Sequence, residues 1–422
     1  MKKSKSILAS TMVVSSLLMQ GGLSNAQTAP STDESIHPFK VHIPESELVD
    51  LKKRIKATRW TEKETVDDYS QGVKSKTVHE LADYWLTNHD WRKAEARLNA
   101  YPQFTTKIDG LDIHFIHVRS KERNALPIIL VHGWPGSIIE LMKVIDPLTN
   151  PTAYGGKPED AFDVVIPSIP GYGFSEKPAT TGWGPTRIAD AFVTLMKRLG
   201  YKKFLAQGGD WGAVIVDLMA VQSPDDLLAI HTNMPGAVPS GIDKAAVAGE
   251  PAPSGLSTEE KHAYEQLVFV YQHVYYGFYM GSRPQTLIGL ADSPVGLATF
   301  MLDHDARSLE LISRSFDGQS EGLTRDDVLD NITLYWFTNT AISSARLYWE
   351  NKFPYFSPKG VTVPVAVSTF PDELYQAPRS WAEKAYPNLI YYNKLDKGGH
   401  FAAWEQPKLF TEEIRAAFKS LR

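Results

Sequence analysis

The chain has 422 residues, 43% of them hydrophobic and 22% charged, with a formal net charge of -5. That is ordinary globular composition, long enough for one large α/β domain with an insertion or for two domains. No Arg-rich run gives the footprint of a nucleic-acid binder, and the lack of cysteine excludes disulfides, thiolate nucleophiles and a lipid-anchoring Cys.

Met1-Lys2-Lys3-Ser4-Lys5 precedes a mostly apolar run from Ile7 to Met19, and Ser24-Asn25-Ala26 follows. A charged start, a short apolar run and small residues at the cleavage positions predict a secretory signal peptide, residues 1–26, cut after Ala26. The run is shorter than the roughly 20 residues a spanning helix needs, and no later segment is apolar enough to span. Cleavage removes Lys2, Lys3 and Lys5, three charges from -5, which leaves -8. The expectation is an exported protein, periplasmic or extracellular, with no stable membrane insertion after cleavage.

Residues 27–36 are polar and expected to be disordered, and residues 37–105 form an N-terminal extension. Pro44-Glu45 starts a helix in which Leu48, Leu51 and Ile55 keep helical spacing. A second helix lies near Val78 to Leu86, and a third starts near Asp90-Trp91. Leu111 to Val118 then alternates like a strand near a sheet edge. Pro127 to Val131 and Phe162 to Pro167 are continuous apolar runs, as strands buried on both faces of a parallel sheet require. Phe204 to Ala206 and Leu227 to His231 are the next strands. Residues 237–260 are rich in Pro, Gly, Ala and Ser, and residues 261 to about 350 read as aromatic-rich helices. Strands return at Val363 to Ser368 and at Leu389 to Tyr392, and a helix from Gln406 to Leu421 closes the chain. The pattern predicts an α/β core, residues 106–236 and 356–422, with a helical cap, residues 237–355, over the carboxyl ends of the strands, where α/β sheets bind ligands.

The strand at Phe204 runs into Gly208-Gly209-Asp210-Trp211-Gly212, and a helix-like run follows from Ala213 to Ala220. This is the layout of a nucleophile elbow, a strained strand-to-helix turn that lifts one side chain above the sheet. Gly208 and Gly212 leave room for the crowded backbones of the turn. The central residue is Asp210, where acyl-transfer enzymes carry Ser. Attack by Ser on an sp3 carbon leaves an ether that water does not readily cleave. Attack by Asp leaves an ester whose carbonyl belongs to the enzyme, and water activated by a His can open it. An Asp elbow therefore points to displacement at an alkyl carbon.

Three further clusters stand where chain order requires them. His132-Gly133-Trp134-Pro135-Gly136 follows the strand ending at Val131, so the Trp134 N–H, paired with that of Trp211 after the nucleophile, can form an oxyanion hole. His400, in Lys397-Gly398-Gly399-His400-Phe401, follows the last strand on a glycine-rich loop and is the expected base. Either Asp372 or Glu373, in Phe370-Pro371-Asp372-Glu373-Leu374, could orient that imidazole through Nδ1–H.

Together these residues resemble the epoxide hydrolases of the α/β-hydrolase fold, in the microsomal-type branch that carries an N-terminal extension. The likeness covers about residues 37–421 and includes Arg283-Pro284-Gln285-Thr286, Asp292 to Leu297 and Ser343 to Tyr348. It implies Asp210 as nucleophile, His400 as base and Glu373 as the acid, with Asp372 in reserve. It also implies two cap tyrosines that bond the epoxide oxygen. Tyr348 falls on one. Tyr276 falls on the other by its distance from Arg283-Pro284, although Tyr275 and Tyr279 stand close by and Tyr275 replaces the usual Gly.

The implied partners are an apolar epoxide and water. No metal or organic cofactor is called for, and no His-Glu-x-x-His or P-loop pattern is present. Two rivals remain at this level. A haloalkane-type dehalogenase shares the Asp elbow, but it needs N–H donors around a halide where tyrosines serve an alkoxide. Such dehalogenases often carry Asn at the position of Trp134. A non-catalytic α/β-hydrolase-like binding protein would keep the fold, but such proteins usually lose a triad member, and none is missing here.

Overall fold

The computed structural model describes residues 33–304, 306–316 and 322–422. The expected signal peptide and residues 27–32 of the expected disordered segment lie outside the described residues. Regular structure begins at β1 (Ile36–Phe39), one residue inside that segment. Three helices follow: α1 (Glu45–Lys56), α2 (Ser75–Thr87) and α3 (Trp91–Leu98). α1 has Glu45 and Glu47 in its first turn and Lys53, Arg54 and Lys56 in its last, the arrangement the helix dipole favours. Asp90 caps α3 by accepting from the Arg92 N–H.

The chain then enters β2 (Gln103–Ile108), β3 (Leu111–Val118) and β4 (Leu126–Val131). α4 (Ile138–Thr149), β5 (Phe162–Pro167), α5 (Pro185–Arg198), β6 (Phe204–Gly208), α6 (Trp211–Gln222) and β7 (Leu227–Thr232) complete the first part of the core. The cap holds α7 (Ser240–Val247), α8 (Thr258–His273), α9 (Tyr275–Ser282), α10 (Pro294–Leu302), α11 (Ala306–Phe316), α12 (Arg325–Thr338) and α13 (Ala341–Glu350). α7 and the start of α8 lie in the stretch that reads as irregular in sequence. β8 (Val365–Thr369), α14 (Arg379–Ala385), β9 (Leu389–Lys394), α15 (Ala402–Glu405) and α16 (Pro407–Ala417) return the chain to the core.

The nine strands of the described residues form one sheet in the order β1-β2-β3-β5-β4-β6-β7-β8-β9. β1, β2 and β3 pair antiparallel, as do β3 and β5, and the pairs from β5 to β9 are parallel. Strand order reverses beside β4, which has β5 on one side and β6 on the other. The crevice at the carboxyl ends of β4 and β6 is thus a topological switch point. Ile128, Ile129, Leu130, Phe204, Leu205 and Ala206 are fully buried along these two strands. Burial of each larger side chain contributes about 1.5–3 kcal/mol, and this fixes the strand ends that carry the site.

The expected start of the core after residue 105 falls inside β2, because the extension supplies two strands of the core sheet. β1 is four residues long with Pro38, and β2 is mostly polar, with Thr105, Thr106 and Lys107 in a row, so neither carries a strong apolar signal. The rest of the extension packs on the cap. α1 and α2 meet α10, and α3 meets α12. His89 Nε2 lies 2.9 Å from Asp330 Oδ1, both buried, and the Tyr84 hydroxyl donates to Asp326 at 3.2 Å. The extension therefore joins sheet to cap. Among the described residues no helix is long and apolar enough to cross a membrane.

Candidate active site

β6 ends at Gly208 and α6 begins at Trp211, so the chain reverses within two residues. A Cβ on Gly212 would stand 1.9 Å from the Val131 carbonyl oxygen, and one on Gly208 would stand 2.2 Å from the Gly212 backbone. Only glycine fits either place. Asp210 takes φ 49° between them, a conformation that costs a non-glycine residue about 1–3 kcal/mol. The surrounding backbone holds it there, as the elbow layout predicts.

Asp210 is buried at the carboxyl end of β6. Its Oδ1 accepts the Trp134 N–H at 2.7 Å. The Trp211 amide opens α6, among the first-turn donors that have no intrahelical acceptor. The loop carrying Trp134 is pinned by His132: Ile169 N–H donates to Nε2 at 3.2 Å, so the ring proton sits on Nδ1 and faces the Gly133 carbonyl at 3.0 Å. Burial pushes the His132 imidazole down to about 4, so it is a neutral strut.

His400 Nδ1 lies 2.5 Å from Glu373 Oε1, and its Nε2 lies 3.6 Å from Asp210 Oδ2. Glu373 is itself fixed, accepting from the Leu374 N–H at 2.8 Å and from Asn233 Nδ2 at 3.1 Å. Of the two acids left open by the sequence, Glu373 is buried against the imidazole. Asp372 is exposed and instead pairs its backbone with the His400 loop, its N–H donating to the Gly398 carbonyl at 3.2 Å. Burial opposes charge on His400, but the flanking Glu373 and Asp210 carboxylates outweigh it and hold its pKa well above the usual value. Burial likewise opposes charge on Asp210, yet the His400 imidazole facing it, with His304 and the Trp134 amide, leaves the carboxyl below its usual range.

The cap closes over this carboxylate with aromatic rings. Tyr276 is buried and stacks on Trp134 at 4.5 Å, whereas Tyr275 and Tyr279 are exposed. Tyr348 stands edge-on to Trp211 at 4.8 Å and 6.0 Å from Tyr276. Its hydroxyl is buried and, among the described residues, has no hydrogen-bond partner. Burial, then neighbouring Tyr276 and Asp210, push that phenol well above its usual range, so it stays an O–H donor.

Residues 36–141 match the family described as epoxide hydrolase N terminus, and residues 127–407 match the α/β-hydrolase fold family. A Stigmatella aurantiaca relative, itself named only as a candidate epoxide hydrolase, is 49% identical over 389 residues, 92% of this chain and 86% of that one. Epoxide hydrolase 1 of Oryctolagus cuniculus is 37% identical over 402 residues, 90% of this chain and 88% of that one. This chain belongs to the epoxide hydrolase family. It is a hydrolase with the N-terminal extension of that branch. The crystal structure of juvenile hormone epoxide hydrolase from the silkworm Bombyx mori superposes with a TM-score of 0.82 at 31% identity, over 92% of this chain and 95% of that one.

Several residues of this epoxide hydrolase site escape the sequence reading. The Tyr355 hydroxyl donates to Asp210 Oδ2 at 2.8 Å. His304 lies between Tyr276 and His400, at 5.1 and 4.5 Å. Behind Asp210 is a cavity of about 20 Å³ lined by Glu140, Gln207, Asn233 and His400, room for one water. Glu140 Oε2, Gln207 Oε1 and His400 Nε2 are buried and have no hydrogen-bond partner among the described residues. Glu140 reaches this place because Gly136 has no side chain: a Cβ there would fall 1.5 Å from Glu140 Oε2. Its position four residues after that glycine, in the first turn of α4, was the available clue. Asp210, His304 and His400 also offer ligand atoms within 4.8 Å of one another, a set able to take a cation. A cation there would lie between the carboxylate and the imidazole that face each other across this site.

Proposed function

We propose that this hydrolase converts an apolar epoxide to a vicinal diol through an ester formed on Asp210. The observation that carries the reading is the split environment of one carboxylate: Oδ1 on the Trp134 amide, Oδ2 accepting the Tyr355 hydroxyl and facing the imidazole. Oδ2 attacks an epoxide carbon while Tyr276 and Tyr348 hydrogen-bond the ring oxygen, and one of them supplies the proton the new alkoxide takes. The product is a hydroxyalkyl ester on Asp210 and a transient phenolate.

Ester formation removes one of the two carboxylate charges that raise His400, which favours the neutral imidazole just when a base is needed. Water in the cavity beside Glu140 and Gln207 gives a proton to Nε2 and attacks Cγ. The negative charge moves to Oδ1, where the Trp134 and Trp211 amides serve as the oxyanion hole; a well-placed donor of this kind contributes about 3–4 kcal/mol. The Cγ–Oδ2 bond then breaks, His400 returns the proton to Oδ2, and the diol leaves. The phenolate recovers the proton of the regenerated Asp210 carboxylic acid.

A single turnover in oxygen-labelled water tests this. The first diol should carry unlabelled oxygen from Asp210, and label in that diol would mean direct attack by water on the ring. A second reading, halide displacement from a haloalkane, has one supporting observation: the Trp211 indole N–H is buried with no partner among the described residues. Release of halide without any diol from epoxides would favour it. We also propose that residues 1–26 direct export; a secreted mature chain beginning at Gln27 by mass is the expected result.

A further inference from the structure

The nucleophile has a neighbour that the two cap tyrosines do not account for. Tyr355 lies after α13, where the cap returns to the core, and its hydroxyl donates to Asp210 Oδ2 at 2.8 Å. Its ring stands edge-on to Trp211 at 4.9 Å and to Phe356 at 5.0 Å. Lys359 Nζ donates to the Tyr355 carbonyl at 3.2 Å and to the Ser357 carbonyl at 3.0 Å, and lies 3.9 Å from buried Asp217. The turn that aims the hydroxyl is thus tied to the core by a buried cation.

Which carboxylate oxygen Tyr355 touches decides what it can do. Oδ1 belongs to the Trp134 amide, so Oδ2 is the atom that attacks. In the ester Oδ2 bridges Cγ and the substrate carbon. When the tetrahedral intermediate collapses, the Cγ–Oδ2 bond breaks and its electron pair stays on Oδ2. A donor on Oδ2 does little for the attack, since it occupies a lone pair of the nucleophile. It does much for the collapse, where charge grows on that oxygen.

We propose that Tyr355 is a catalytic residue of the second half-reaction, donating its O–H to Oδ2 as that atom departs as the alkoxide of the diol, while His400 returns the proton. This rests on the covalent reading above. Burial, then the Asp210 charge, keep the Tyr355 phenol well above its usual range, so it remains a donor throughout the cycle. It differs in timing from Tyr276 and Tyr348, which meet the other oxygen of the product during ring opening.

The test is Tyr355→Phe, which keeps the ring packed on Trp211. Ester formation and ester hydrolysis are timed separately by quenching a single turnover and weighing the intact protein. Hydrolysis should slow roughly tenfold to a hundredfold, with ester formation unchanged or faster, so the ester accumulates. The loss should shrink for epoxides whose diols bear electron-withdrawing groups next to the departing oxygen, since those alkoxides need less help. Both steps are read on the same folded molecules, so their ratio survives partial loss of folded protein. Slower ester formation with unchanged hydrolysis would overturn the proposal, as would an equal loss across all leaving groups. If instead no adduct forms even in His400→Ala, the covalent reading itself has failed.

Discussion

The floor and the roof of the site differ in how their polar atoms are used. On the floor, at the strand ends, donors and acceptors are mostly paired within the protein. Asp210 Oδ1 holds the Trp134 amide, His400 Nδ1 holds Glu373, and Glu373 holds Leu374 and Asn233. On the roof, rings pack on rings, Tyr276 on Trp134 and Tyr348 on Trp211, while the Tyr348 hydroxyl has no partner among the described residues. The alignment of carboxylate, imidazole and acid is thus fixed in advance by the sheet. The cap holds back a donor for a ligand that arrives later. A site built this way keeps its reacting groups aligned while the helices above them accommodate substrate.

The largest test of the contrast is to break the floor. Asp210→Ala should abolish diol formation, by roughly 10⁴-fold or more. His400→Ala should stop at the ester and show a mass increase equal to the epoxide; turnover with no adduct would remove the assigned base. Gly212→Ala comes next. Its Cβ meets the Val131 carbonyl oxygen at 1.9 Å, and the strand and helix cannot both move aside, so stability should fall by about 4 kcal/mol or more. A denaturation midpoint equal to that of the parent would show that the turn is looser than its backbone contacts indicate.

Glu140 sharpens the comparison through pH. Burial raises its carboxyl to about 8, against the usual 4.5. Between those values the folded chain binds more protons than the unfolded one, so stability from this group is lost as pH rises through that window, up to roughly 5 kcal/mol. Glu140→Gln should flatten that slope in urea titrations at pH 5 and pH 8.5. An unchanged slope would mean that the carboxyl is not held neutral in the cavity. The smallest effect belongs to the roof. Tyr348→Phe should slow ester formation about 10- to 100-fold, since Tyr276 still serves the ring oxygen, and leave ester hydrolysis alone. A slower hydrolysis would place Tyr348 in the wrong half of the cycle.

The floor was largely legible in the sequence because it rests on local chemistry. The apolar runs at Pro127, Phe162 and Phe204 are strands, and Gly208 to Gly212 is the turn between one of them and a helix. The hairpin from β2 to β3 had a local mark too, Asp109-Gly110, both at positive φ, although its polar first strand hid it. The roof was less legible. Tyr275, Tyr276 and Tyr279 sit on one short helix, α9, and only packing against Trp134 separates the buried ring from the exposed ones.

What the sequence by itself determined is the place of Asp210 at the elbow, the histidine that faces it, and the turn that strains the former. Steric crowding between a strand and the helix after it depends on adjacent residues, so glycines at fixed spacing reveal it. Only the tertiary structure decided between Asp372 and Glu373, seated Glu140 beside the cavity behind Asp210, and set the Tyr355 hydroxyl on Oδ2. Those contacts join residues 27, 70 and 145 positions apart. Their geometry follows from how sheet, cap and extension pack, which no local pattern records.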